Sequence, residues 1–92
     1  MYTPFYSKKF GKSYQKIRRS GKLLRGEVEP IIEILSSGKK LGAEYQDHAL
    51  HGEYNGYREC HVRGNILLIY KIEGMILVLI LFDIGTHAQL FE

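Results

Sequence analysis

The spacing of hydrophobic residues changes along the chain from a helical to an extended period. Phe10, Tyr14 and Ile17 are separated by four and three positions, which aligns their side chains on one face and predicts a helix over residues 7–20. A second helix is predicted over residues 27–37, with its single proline in the first turn. The apolar stripe of that helix consists of Val28, Ile31, Ile32 and Leu35. Both segments are therefore predicted to be amphipathic helices with one face available for a core.

The second half of the chain has the pattern of β-strands. Residues 39–56 are polar and contain several glycines, which predicts a long loop. Residues 57–62 then alternate between polar and less polar positions, as in a strand. Residues 66–72 and 75–82 are rich in apolar residues, and the two-residue link Glu73-Gly74 suits an antiparallel hairpin. These segments predict three consecutive strands.

The strand predicted over residues 75–82 has apolar residues on both pleat faces, which is typical of a central strand covered on each side. A short strand over residues 2–6 could complete the sheet, although Pro4 confines it to an edge or a strand end. The resulting order is β-α-α-β-β-β. The sequence therefore predicts an α+β fold with two N-terminal helices packed on a small sheet.

Chain length and composition indicate one domain, predicted to span residues 1–92. The 92 residues are 45% hydrophobic and 25% charged, as is usual for a small globular domain. Cys60 is the single cysteine, and the first residues lack the layout of a secretory signal, so a cytoplasmic location is expected. The longest apolar run is far shorter than the ~20 residues of a membrane helix, so no membrane association is expected.

The positive charge is concentrated near the N-terminus. The chain has a net charge of +3, yet residues 1–26 contain eight lysines and arginines and no acidic residue. Residues 27–92 contain the other five basic residues and all ten acidic ones. A surface of one charge repels itself, which indicates a polyanion or an acidic protein as partner. The alternative is a solvated, lysine-rich helix face.

Histidine is the residue type with the clearest chemical potential. All four histidines lie in the second half of the chain: His48, His51, His61 and His87. Imidazole exchanges protons near neutral pH, so histidines that meet in one cleft could perform acid–base catalysis, and hairpin geometry could bring His61 and His87 together. The cysteine and histidine spacing does not match a zinc site, and no phosphate-binding glycine motif is present. No metal and no cofactor are predicted.

A set of spaced motifs resembles the YafQ branch of the RelE/ParE toxin superfamily. The motifs are Asp47-His48-Ala49-Leu50, Gly52, Gly56-Tyr57-Arg58, His61-Val62, Leu68-Ile69-Tyr70-Lys71, Gly85-Thr86-His87-Ala88 and Leu90-Phe91. Members of that branch are ribosome-dependent messenger-RNA endonucleases of type II toxin–antitoxin modules. Their fold places two helices on a small antiparallel sheet, which agrees with the element order predicted above.

The resemblance implies roles for particular residues. His48, His61 and His87 match the family's functional histidines, with His87 as general acid, His48 as general base and His61 on the phosphate; the first two roles could be exchanged. The residues implied to contact the substrate are Arg58, Arg63, Asn65 and Phe91, although Arg58 could instead be structural. The residues implied to contact ribosomal RNA or an antitoxin are Lys8, Lys9, Lys12, Lys16, Arg18 and Arg19. His51 has no counterpart and is expected to be a surface residue.

Two positions depart from the family pattern. Asn65 occupies a position where the branch often has an aspartate, and Asp83 occupies one where it often has an arginine. Asparagine cannot act as an anionic partner for a histidine, and the charge of Asp83 opposes phosphate binding. Three outcomes are consistent with these changes: a cation from Arg63, Lys71 or the N-terminal region compensates, the nuclease is slower, or the activity is lost.

The predicted function is that of a toxin that cleaves messenger RNA on the ribosome, without a metal, by attack of the ribose 2′-hydroxyl. The expected partners are an acidic, partly disordered antitoxin, the ribosome with its messenger RNA, and operator DNA only through the antitoxin complex. The alternative is a superfamily member that acts by binding alone, either on a ParE-like target or as a co-repressor with its antitoxin.

Overall fold

The computed structural model describes residues 1–91, without the side chain of residue 25, so the predicted domain extends one residue beyond the described part. Three α-helices and five strands lie along these residues. They are β1 (Thr3–Tyr6), α1 (Lys8–Arg19), α2 (Arg25–Ser36), β2 (His48–Ala49), β3 (Arg58–Arg63), β4 (Ile66–Glu73), β5 (Val78–Thr86) and α3 (His87–Phe91). Two single-turn 3₁₀ helices, Ala43–Tyr45 and Gly52–Tyr54, flank β2 in the predicted loop.

The predicted fold class is confirmed. The five strands form one sheet in the order β1-β5-β4-β3-β2, and every neighbouring pair is antiparallel except β1 and β5, which are parallel. The N-terminal strand lies at an edge, where Pro4 is tolerated because an edge strand leaves one row of backbone groups unpaired.

Local sequence explains where the helices begin. The Ser7 hydroxyl accepts a hydrogen bond from the Phe10 N–H at 2.9 Å and thereby caps α1. The backbone N–H of Leu24 donates to the Glu27 carboxylate at 2.9 Å at the start of α2. Both predicted helices are confirmed within two residues at each end.

The predicted strand over residues 75–82 is wrong at both ends. β5 begins at Val78, and the chain turns through residues 74–77, so the hairpin link has four residues rather than two. Glu73 pairs with Val78, and the Thr3 N–H donates to the Leu77 carbonyl, so the pairing of both neighbouring strands decides where β5 begins. Met75 is consequently 97% exposed despite its apolar character.

The main core lies between the two long helices and one face of the sheet. It includes Phe10, Ile17, Val28, Ile31 and Leu35 from the helices, and Leu68, Tyr70, Leu79, Leu81 and Ile84 from the strands. Alternation along β4 sends Leu67 and Ile69 to the opposite face, where both are also buried. That second face, on the side of Leu67 and Ile69, carries the candidate site.

An irregularity in β5 changes which of its residues reach the second face. Ile69 pairs with Asp83 while Tyr70 pairs with Leu81, so Phe82 is an extra residue in the ladder. The bulge places Asp83 opposite Ile69 on the second face.

Within residues 1–91, no helix is long and apolar enough to cross a membrane.

Candidate active site

Strand pairing brings His48, Glu59 and His61 to the same face of the sheet. His48 of β2 lies directly opposite Glu59 of β3, and Glu59 lies opposite Ile69 of β4. Residues directly opposite each other in antiparallel strands project to the same side, and so do residues two apart in one strand. His61 therefore joins this row on the second face.

The Glu59 carboxylate lies between the two imidazoles. Its Oε1 atom is 3.5 Å from His48 Nε2 and 4.0 Å from His61 Nε2. The Glu59 side chain is buried, whereas those of His48 and His61 are 52% and 30% exposed. Two proton-carrying groups that solvent can reach thus share one buried anion, which is an arrangement suited to proton transfer.

His48 is oriented by its own backbone as well. Its Nδ1 atom lies 2.9 Å from the carbonyl oxygen of Gln46. A carbonyl oxygen can only accept, so this contact assigns the proton of neutral His48 to Nδ1 and leaves Nε2 as the acceptor.

His87 occupies the first position of α3, at the end of β5. The Thr86 hydroxyl accepts a hydrogen bond from the Gln89 N–H, and the Gln89 side-chain oxygen accepts one from the Thr86 N–H. These reciprocal bonds form a capping box at the start of the helix. The ring centroids of His87 and Phe91 are 5.1 Å apart. His61 pairs with Leu67, which pairs with Gly85, so His61 and the segment leading to His87 lie two strands apart at the same end of the sheet.

An aromatic cluster, formed by Tyr54, Tyr57, Phe82 and Phe91, lies beside His87. Tyr54 contacts the other three rings edge-on, with centroids 5.7 to 6.4 Å apart, and Tyr57 packs on Phe82 at 4.9 Å. Two cations approach the cluster, with Lys71 Nζ 5.3 Å from the Tyr57 ring and Lys9 Nζ 5.4 Å from the Phe82 ring. Partly exposed rings next to lysines form a surface suited to stacked bases and phosphates.

Lys9 also lies beside Asp83, the residue expected to oppose phosphate binding. The Asp83 carboxylate is buried, with Oδ1 accepting the Ile84 N–H at 2.8 Å and Oδ2 lying 3.8 Å from Lys9 Nζ. The lysine offsets this negative charge. Of the cations considered from sequence, Lys9 and Lys71 adjoin the aromatic cluster.

Three predicted substrate-binding residues lie away from the histidine row. Arg58 projects to the helix-covered face, where its Nε donates to the Asp47 carboxylate at 3.2 Å. Arg63 Nη1 donates to Glu27 at 3.3 Å, and Asn65 is exposed in the turn after β3. The structure therefore does not bring these side chains to Glu59.

The other predicted contact residues lie on the surface. Phe91 is in the aromatic cluster, half-buried beside His87. All six predicted cations of α1 are exposed: Lys8, Lys9, Lys12, Lys16, Arg18 and Arg19. His51 is exposed in the loop before Gly52–Tyr54.

Cys60 contributes to the core. Its thiol is completely buried, and burial, with the nearby charges of Asp47 and Glu59, raises its pKa to about 12. The thiol is therefore protonated at neutral pH and is not a nucleophile.

Within residues 1–91, no group of three histidine, cysteine, aspartate or glutamate side chains has the geometry to hold a metal ion.

The sequence matches one known protein family. Residues 2–92 match the model of the bacterial toxin of type II toxin–antitoxin systems, YafQ. The chain belongs to the YafQ family. It is therefore a type II toxin, and the resemblance inferred from the spaced motifs is confirmed.

Individual relatives agree with this assignment. The mRNA interferase toxin YafQ of Escherichia coli K12 is 32% identical over 87 residues, which is 94% of this chain and 91% of that protein. A crystal structure of a metal-bound toxin from Helicobacter pylori has a TM-score of 0.92 at 32% identity and covers 99% of this chain and 100% of its own. The crystal structure of the E. coli DinJ–YafQ complex has a TM-score of 0.87 at 29% identity over 100% of both chains.

Sequence analysis did not identify Glu59 or the contacts of Asp47 as site features. It gave Lys9 as a contact for ribosomal RNA or an antitoxin, but not as a neighbour of Phe82 and Asp83. One sequence feature could have identified Glu59. It lies two residues before His61, and strand alternation predicts that the two side chains share a face. The approach of Lys9 to β5 depends on how α1 packs against the sheet, and no local pattern contains that information.

Proposed function

We propose that this YafQ family member cleaves messenger RNA on the ribosome, using histidine acid–base catalysis and the ribose 2′-hydroxyl as nucleophile, without a metal ion. The observation that carries the proposal is the buried Glu59 carboxylate between the partly exposed side chains of His48 and His61. The E. coli relative is an mRNA interferase toxin, which supports the same reaction class.

In this proposal, His48 is the general base. The contact of Nδ1 with the Gln46 carbonyl leaves Nε2 to accept a proton from the 2′-hydroxyl. Once protonated, Nε2 faces the Glu59 carboxylate 3.5 Å away, and the attraction between the two charges stabilises the imidazolium. Glu59 thus supplies the anionic partner that Asn65 cannot provide.

His61 and His87 complete the reaction. His61, on the other side of Glu59, contacts the phosphate and stabilises the charge that develops as the 2′-oxygen attacks. His87, which follows the end of β5, donates a proton to the departing 5′-oxygen. An exchange of the acid and base roles between His48 and His87 leaves the overall reaction the same.

The aromatic cluster and its two lysines hold the RNA. Bases stack on the exposed parts of Tyr54 and Phe91, a contact worth about 1–3 kcal/mol per base in single-stranded recognition. Lys9 and Lys71 supply positive charge beside the phosphates.

The cationic surface of α1 determines the macromolecular partners. Its exposed lysines and arginines contact ribosomal RNA phosphates in the cytoplasm, and the same charges attract an acidic antitoxin. The E. coli relative forms a complex with DinJ, which supports an antitoxin of comparable function for this chain. Operator DNA is contacted through that complex.

Single-turnover cleavage of messenger RNA on purified ribosomes tests the proposal. His48→Ala, His87→Ala and Glu59→Gln are each expected to slow cleavage by about 10²-fold or more, because each removes a proton-transfer group or its charge partner. Glu53→Gln, an exposed carboxylate in the loop after β2, is the matched control and is expected to cleave at the wild-type rate.

The RNA itself provides the second readout. The products should end in a 2′,3′-cyclic phosphate, and a 2′-deoxynucleotide at the cleaved position should block the reaction. Cleavage of the deoxy substrate, or wild-type rates in both histidine variants, would contradict the proposed mechanism. Intact ribosome and antitoxin binding with no cleavage by the wild-type chain would favour the binding-only alternative.

A further inference from the structure

Asp47 lies one residue before His48 and is held by side chains from two strands. Arg58 Nε donates to Asp47 Oδ1 at 3.2 Å, and the Tyr70 hydroxyl donates to Oδ2 at 2.8 Å. Arg58 and Tyr70 lie directly opposite each other in the β3–β4 pair. Each oxygen of the carboxylate therefore has its own donor, fixed to the centre of the sheet.

The two donors to Asp47, Arg58 and Tyr70, keep their protons at neutral pH. Tyr70 is 1% exposed, and burial together with its hydrogen bond to Asp47 raises its pKa, so its hydroxyl stays a donor. Burial lowers the pKa of Arg58 while the charge of Asp47 raises it, and the net change is upward. Both hydrogen-bond donors to Asp47 are thus present at neutral pH.

Apart from Asp47, the segment that carries His48 is held by the short strand β2 and by a hydrogen bond from the Leu50 N–H to the Tyr57 carbonyl. β2 has only two residues, and its pairing consists of His48 with Glu59 and Ala49 with Arg58. Gln46, whose carbonyl contacts His48 Nδ1, has a left-handed φ of 48°, which is unfavourable for a residue with a Cβ. Such a short edge strand does not by itself fix a side chain, so the anchored Asp47 holds both neighbours in place.

We propose that Tyr70 and Arg58 are positioning residues, which hold His48 Nε2 against Glu59 by fixing Asp47. This inference rests on the catalytic role of His48 proposed above. It also gives Arg58 a function that requires no contact with RNA. The network lies on the helix-covered side of the sheet and acts on the opposite face through one peptide unit.

Removal of a single hydroxyl tests the proposal. Tyr70→Phe is expected to lower kcat about 10-fold and to change KM by less than about twofold, because a small misplacement of a catalytic group slows chemistry without weakening binding. Asp47→Asn, which keeps the shape of the side chain, should do the same. Each variant is assayed below its own unfolding transition.

Tyr45→Phe is the matched control. Tyr45 also packs partly buried against the core, immediately before Gln46, and its hydroxyl makes no hydrogen bond to any part of the chain described by the structure. This variant should retain both kinetic constants. Equal losses in Tyr45→Phe and Tyr70→Phe would show a general packing effect and overturn the positioning role.

Two readouts separate positioning from simple structural support. Nitrogen-15 NMR of the His48 ring should show the Nδ1 proton in the wild type and a mixture of tautomers in Tyr70→Phe. In a double-mutant cycle, Tyr70→Phe should have no further effect in the His48→Ala background. Additive losses, or an unchanged His48 tautomer, would overturn the inference.

The test distinguishes this inference from the proposed function. Wild-type kcat in Tyr70→Phe and Asp47→Asn, with His48→Ala inactive, would overturn the positioning role and leave the catalytic role intact. Full activity in His48→Ala would overturn both. An increased KM with unchanged kcat would show that the network contacts RNA and would also overturn the positioning role.

Discussion

Arg58 and Glu59 are neighbours in the chain but have unrelated environments, because successive side chains of a strand point to opposite faces. Arg58 joins Asp47 and Tyr70 on the helix-covered face, and Glu59 joins the histidines on the other. Two charged residues that are adjacent in the chain therefore lie in different places, Arg58 in the Asp47 network and Glu59 in the proposed active site.

Leu77 illustrates local strain at the same scale. Its φ of 54° lies in the left-handed region, which costs a residue with a Cβ about 1–2 kcal/mol, and its side chain is 54% exposed. Leu77→Gly is expected to increase the free energy of unfolding by about 1 kcal/mol, measured by urea denaturation.

Ile76→Gly is the control for that substitution. Ile76 lies in the same turn, is 69% exposed and does not have a positive φ, so glycine there removes apolar area and adds flexibility without relieving strain. It should not increase stability. A lower stability of Leu77→Gly than of the wild type would contradict the strain argument.

At the scale of elements, α1 combines an apolar stripe with a cationic surface. Phe10 and Ile17 are buried against the sheet, and the lysines and arginines of the same helix are exposed. The N-terminal part of the helix also delivers Lys9 to Phe82 and Asp83 of β5. One helix thus provides core packing, a cation near the candidate site and an exposed cationic surface.

The double substitution Lys12→Glu/Lys16→Glu tests the surface of α1. Ribosome affinity is expected to fall at least 10-fold, and the slope of log K against log salt should become shallower by about 1.5, because each lost phosphate contact contributes about 0.7–0.9. Filter binding across a salt series measures both quantities.

Lys39→Glu/Lys40→Glu is the charge-matched control, since these exposed lysines lie beyond α2 and outside α1. It should preserve the salt slope. Equal losses in the two double variants would mean that total charge, and not the surface of α1, drives association.

At the scale of the whole molecule, one core joins the two long helices to the sheet, and ionisable groups lie inside it. Cys60 and Tyr70 are both buried in this core. Their pKa values are raised, so the folded state favours their protonated forms. Stability from these groups is fully present below their unfolded pKa values and is lost as pH rises toward the folded ones.

Alkaline denaturation therefore has a predictable dependence on Cys60. The thiol titrates near pH ~8.5 when unfolded and at about 12 when folded, so between these values it should reduce stability by about 1.4 kcal/mol per pH unit. Urea denaturation between about pH 9 and pH 10 should show this slope in the wild type and a shallower one in Cys60→Ala. Equal slopes in both proteins would contradict the assignment.

The sequence by itself determined the two helices, most of the strand order and three histidines as candidates. Helix periodicity, the Ser7 cap and β-strand alternation are local properties, and they agreed with the fold in these segments. The start of β5 could not be predicted from the local sequence, because residues 75–77 are as apolar as the strand that follows. Only pairing with β1 and β4 decides where this strand begins.

Only the tertiary structure decided which groups meet. Three tertiary features place His48, Glu59, His61 and Lys9 around one face of the sheet. They are the bulge at Phe82, the pairing of the two-residue strand β2 with β3 at Glu59, and the packing of α1 beside β5. Each of these depends on contacts between residues far apart in sequence, since a strand's register is set by its partners rather than by its own residues. For the same reason, the contacts of Arg58 and Tyr70 with Asp47 could not be predicted from the sequence.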